Sequence, residues 1–92
     1  MKISKSKKDK ISEQILAFLF SNSPKLFFTS EIAQDLARDE EFIKKLLLDL
    51  KKKSLLSEIK KNPSGIDYIR RSRWKMTDAA YSAYKLNQLN FN

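Results

Sequence analysis

Arg70, Arg71, Arg73 and Lys75 place four cations within six residues. Lys51, Lys52, Lys53, Lys60 and Lys61 precede them. The stretch from Lys51 to Lys75 therefore holds nine Lys/Arg against Glu58 and Asp67, a net +7. Residues 1–10, MKISKSKKDK, add five lysines and one aspartate, a net +4. Cations at this density favour a polyanionic partner, nucleic acid before an anionic membrane. The whole chain carries +8. Its centre is different: Ser30 to Leu50 holds six acidic and three basic residues, a net −3.

Other chemistry is excluded by composition. The chain has no cysteine and no histidine. That removes disulfides, thiol nucleophiles, Ser-His-Asp catalysis and the ordinary zinc ligand sets. Acidic pairs such as Glu40 with Glu41, or Asp78 with Glu58, exist, but no pattern brings them into one cleft. A single glycine builds no phosphate-cradling loop. No enzymatic activity, cofactor or metal is expected. No apolar run is long enough to span a bilayer, and no secretion signal follows the basic start. A cytoplasmic chain without a membrane partner is the expectation.

The elements that must position these charges are legible in the hydropathy. Ninety-two residues, 41% hydrophobic, make one small domain. Residues 1–10 read as a basic arm, with a solvated helix start as the equal alternative. Residues 11–20, ISEQILAFLF, read as a helix whose stripe is Ile11, Ile15, Phe18 and Leu19. Ser21-Asn22-Ser23-Pro24 ends it. Lys25 to Phe28 is a connector or a very short strand. Thr29 or Ser30 then caps a short helix that buries Ile32, Ala33 and Leu36 and ends near Ala37. Arg38 is the turn. Asp39 caps a third helix, with Glu40 and Glu41 in its positive first turn. Its inner stripe is Ile43, Leu46, Leu47 and Leu50. Phe42 and Leu48 fall off that stripe.

Residues 55–61 and 66–76 read as two strands joined by the turn Asn62-Pro63-Ser64-Gly65. On the second strand Trp74 and Met76 share one face, and Arg71, Arg73 and Lys75 share the other. Thr77-Asp78 caps a last helix, about residues 78–90 and apolar on several sides. The fold class is mainly α with a small β-hairpin: helix, short strand, helix, helix, hairpin, helix, over residues 11–92.

At this point the chain resembles the winged helix-turn-helix family of DNA-binding proteins, including small archaeal and viral regulators and MarR- and PadR-like transcription factors. Four motifs carry the resemblance. Ile32-Ala33-Gln34-Asp35-Leu36 matches the first helix of the two-helix motif, about residues 30–53. Ile43, Leu47 and Leu50 match the second. Lys51-Lys52-Lys53-Ser54-Leu55-Leu56 is similar to the step into the wing, about residues 55–76. Trp74-Lys75-Met76-Thr77-Asp78 is similar to the step out. Ser54 departs from the glycine usual there, Arg38 from a small or apolar turn residue, and Ala80 from a glycine after the threonine.

The resemblance implies double-stranded DNA as the partner, a homodimeric transcriptional regulator as the function, and the cytoplasm of a prokaryote or its virus as the setting. It places Glu40, Glu41, Phe42, Lys44 and Lys45 on the recognition helix. The two glutamates either accept from cytosine N4 or simply start the helix. Phe42 meets a thymine methyl, the edge of the core or a second subunit. Lys44 and Lys45 reach base edges or phosphates, or face solvent. Ser30, Lys51, Lys52, Lys60, Lys61, Arg70, Arg71, Arg73 and Lys75 become the wing and phosphate contacts. Tyr81, Tyr84, Leu86 and Leu89 become the dimerisation face. The alternative is a winged-helix protein-interaction module that docks through the acidic helix start and the spare apolar faces.

Overall fold

Ile43, Leu46, Leu47 and Leu50 are all buried, as a stripe at i, i+3, i+4 and i+7 requires. They belong to α3 (Glu40–Lys52). The computed structural model describes residues 5–60 and 72–90. The remaining elements are α1 (Lys5–Ser21), β1 (Phe27–Phe28), α2 (Thr29–Asp35), β2 (Leu56–Ile59), β3 (Arg73–Met76) and α4 (Asp78–Asn90). The proposed turn at residues 62–65 lies outside the described residues.

The three strands form one antiparallel sheet in the order β1-β3-β2. β3 is central. Its Trp74 opposes Phe27 on one side and Glu58 on the other. Trp74 and Met76 point into the core, beside Leu56, Phe27 and the stripes of α1 and α3. The indole N–H of Trp74 donates to the Thr29 hydroxyl at 2.8 Å. This bond pins the start of α2 to the centre of the sheet and satisfies a donor that burial would otherwise leave without a partner.

Residues 5–10 belong to α1, so of the two equal readings of that segment the helix start holds there. No glycine or proline interrupts that segment, and its exposed lysines are good helix formers. Thr29 and Ser30 are not the cap of α2. Phe28 holds the cap position, and its backbone N–H donates to the Glu31 carboxylate at 2.8 Å. Thr29 has its hydroxyl on the indole instead.

The other caps follow expectation. The Asp39 carboxylate accepts from the Phe42 N–H at 3.0 Å. The Thr77 hydroxyl accepts from the Ala80 N–H at 3.1 Å. It also donates to the Ser54 carbonyl at 3.0 Å, which ties the exit of α3 to the entry of α4.

Both short connections end their helices through one residue in the left-handed region: Ala37 at φ 54° and Ser54 at φ 65°. The amide of Arg38 reaches the Ala33 carbonyl and that of Ala37 reaches Gln34. Leu55 and Ser54 repeat the pattern on Leu50 and Lys51. These are Schellman closures built without glycine. A left-handed non-glycine residue costs about 1–2 kcal/mol, of which the extra chain entropy of glycine would return part. Ser54→Gly is therefore expected to stabilise the domain by about 0.5–1 kcal/mol. Thermal unfolding checks this; a midpoint unchanged or lowered would mean that the Ser54 side chain compensates its backbone.

Candidate nucleic-acid interface

The N-terminal ends of α2 and α3 converge on β3. Between them lies a groove of about 250 Å³ lined by Ser30, Glu40, Glu41, Lys44, Ser72, Phe28, Thr29 and Trp74. Each side chain is there for a local reason. Ser30 stands in the first turn of α2. Glu40, Glu41 and Lys44 occupy one exposed flank of α3, beside its leucine stripe. Ser72 precedes the central strand.

Four expected site residues thus share one groove: Ser30, Glu40, Glu41 and Lys44. Glu40, Glu41 and Lys44 form no ion pair among the described residues. Two carboxylates and one ammonium are left to face whatever enters.

Lys45 does not join them. It lies on another flank of α3, around a shallow hollow shared with Leu48, Asp49, Lys51 and Lys52. One step along a helix turns a side chain by about 100°, which separates the two neighbouring lysines. Phe42 turns inward instead, half-buried against the core. Its reading as a thymine contact is replaced by the edge-of-core reading.

The wing cations divide as well. Lys52, Lys60 and Lys75 are exposed. Arg73 is half-buried between its cross-strand neighbours Phe28 and Ile59. Its guanidinium carbon lies 5.0 Å from the centre of the Phe28 ring. This cation–π contact keeps the charge beside the groove while fixing the side chain in place. Lys61, Arg70 and Arg71 lie outside the described residues.

Lys51 is engaged within the fold. Its ammonium meets the Glu58 carboxylate at 2.8 Å, and the Ser72 hydroxyl donates to the same carboxylate at 2.6 Å. Glu58 sits on the core-facing parity of β2, opposite Trp74, with its side chain 8% exposed. A carboxylate there needs partners. No local pattern marks this clamp, because its partners are seven and fourteen residues away.

Burial raises the Glu58 pKa, but hydrogen bonds from Lys51 and Ser72 and the charges of Lys51 and Lys60 outweigh it. The net position is below the ordinary 4.5. A depressed folded-state pKa gives stability that is complete above the ordinary value and lost as pH falls through the depressed one. Glu58→Gln is accordingly expected to cost about 1–2 kcal/mol at neutral pH. In urea denaturation the gap between the two proteins should close below pH 4.5. A gap independent of pH would remove the carboxylate charge from the explanation.

The expected dimerisation residues also separate. The rings of Tyr81 and Tyr84 pack 5.1 and 4.7 Å from Phe20 of α1, within the same chain. Leu86 remains 60% exposed and Leu48 41%. Leu89 belongs to α4, but its side chain lies outside the described set.

Three helices packed on a three-stranded sheet, with a hairpin after the third helix and a fourth helix after the hairpin, define the winged helix-turn-helix fold. The chain has that fold. It superposes on ZitR of Lactococcus lactis with a TM-score of 0.70 and 19% identity, over 94% of this chain and 60% of that one. A MepR variant from S. aureus gives 0.67 and 21%, over 95% and 66%. A MepR variant bound to an oligodeoxyribonucleotide gives 0.60 and 20%, over 95% and 71%. The chain therefore spans about three fifths of ZitR's length and two thirds of the first MepR's. No protein-family model matches the sequence, and no curated protein matches it. Among the described residues no helix is long and apolar enough to cross a membrane.

Proposed function

We propose that the protein binds double-stranded DNA and acts as a transcriptional regulator. The observation that carries this is the groove at the start of α3, with Lys44 inside it and Arg73 beside it; Lys52 is exposed at the far end of the same helix, and Lys60 and Lys75 are exposed after β2 and on β3. A polyanion laid against α3 would meet these cations with little rearrangement. The MepR variant solved with an oligodeoxyribonucleotide supports the same reading by likeness of fold. Glu40 and Glu41 face the bases rather than the phosphates, where carboxylates accept from exocyclic amines.

The test is a titration of a fluorescent random-sequence duplex between about 50 and about 200 mM salt. Affinity should fall steeply across that range. Salt-independent or absent binding would overturn the proposal.

The active form is a homodimer, with two α3 helices on successive half-sites. Since Tyr81 and Tyr84 pack on their own α1, the second copy is held chiefly by the exposed leucine side of α4. Sedimentation of a monomer at tens of micromolar would count against it. One observation favours a different reading: Glu40 and Glu41, which form no ion pair among the described residues, suit a basic protein partner. In that case the groove binds protein and the duplex titration fails.

A further inference from the structure

A second hollow lies at the other side of the helix-turn-helix turn. It spans about 570 Å³ and is lined by Lys7, Lys10, Arg38, Ser6, Gln14 and Ile11. Its charged lining is entirely cationic. Asp9 and Glu13 lie on the same helix but do not line it. Lys10 and Arg38 form no ion pair among the described residues. All three cations are exposed. Ser6 and Gln14 add neutral donors.

The position matters as much as the charge. Arg38 directly precedes Asp39, the cap of α3, and three residues later Glu41 lines the acidic groove. About 3.8 Å separates successive Cα atoms, so the Cα atoms of Arg38 and Glu41 lie at most about 11 Å apart and the hollow and groove are neighbours. The N-terminal end of α3 is thus bordered by a cationic shelf made from α1 and the turn. This shelf is separate from the wing cations, which follow α3 in the chain.

We infer that Lys7, Lys10 and Arg38 form a phosphate-binding shelf that holds the DNA backbone flanking the segment read by α3. The inference rests on the DNA-binding reading above. It gives the carboxylates of Glu40 and Glu41 a workable setting, since backbone held on both sides offsets their repulsion. It also lengthens the footprint beyond the one set by helix and wing.

The test compares two variants of the full chain on one duplex: Lys10→Gln with Arg38→Gln, and Lys44→Gln with Lys75→Gln. Thermal unfolding establishes that each is folded. Loss of two phosphate contacts should make the slope of log K against log salt shallower by about 1.8. The shelf variant should also lose the wild type's preference for a duplex extended at its flanks. A folded shelf variant with the wild-type slope and the same length preference overturns the shelf, while a weakened Lys44 and Lys75 variant in that experiment preserves the DNA-binding reading. Absence of duplex binding by the wild type overturns both. Unchanged duplex binding with lost binding to phosphatidylserine vesicles would assign the shelf to a membrane and also overturn it.

Discussion

Trp74→Ala is expected to bring the domain to the edge of unfolding, with a loss of about 3–5 kcal/mol. A small domain holds only about 5–15 kcal/mol in total. The side chain is 0% exposed and stands on the central strand, between Phe27 and Glu58. Alanine removes core volume that no neighbour can refill without moving the sheet. It also releases Thr29, and with it the anchor of α2. Phenylalanine keeps most of the volume but forfeits the indole hydrogen bond, so Trp74→Phe should cost less, about 1–3 kcal/mol. Trp74 is the sole tryptophan, so unfolding has to be followed by circular dichroism. An alanine variant within about 1 kcal/mol of wild type would contradict this account of the core.

Lys44→Glu is expected to have the largest effect on DNA binding of any single exposed substitution. Among the described residues Lys44 is the one cation lining the groove with Glu40 and Glu41. It stands four and three residues after them on the same helix, close enough to offset both. Reversal places three carboxylates against the duplex and removes a contact. Affinity should fall about 10-fold or more at low salt, with the salt slope shallower by about 0.9. Lys45→Glu makes the same formal change on the other flank, beside Leu48 and Asp49. It should cost several-fold less. Equal effects from the two variants would mean that bulk charge matters and the groove does not.

The contrast between these neighbours shows what the sequence could convey. The leucine stripe of α3, the cap at Asp39 and the alternation around Trp74 were legible because each rests on spacing within one element. Asp39 needs only the amide three residues on. Features that join distant elements left no local sign. The Glu58 clamp, the bond from Trp74 to Thr29 and the pairing of Arg73 with Phe28 are of this kind. They explain why Lys51 and Arg73 look like free cations in the sequence while each has a partner in the fold. The tyrosines of α4 teach the same lesson: an apolar helix face predicts burial, but not whether Phe20 of the same chain or a second chain supplies it. The choice between arm and helix start was left open for a simpler reason. Lysine and serine carry no signal that distinguishes a solvated helix turn from an extended tail.

The bond between Trp74 and Thr29 joins positions 45 residues apart. That distance sets an order of events as the polypeptide is made. The first three helices and their turns depend on contacts close in the chain and can assemble as they emerge. β1 has to wait, because its partner strand among the described residues begins only at Arg73. Closing so long a loop is entropically slow. Nascent chains halted before Arg73 therefore hold a helical cluster with both β1 and β2 still without their partner strand. Only the emergence of β3 completes the sheet, and the surface that α3 presents becomes fixed at the same moment.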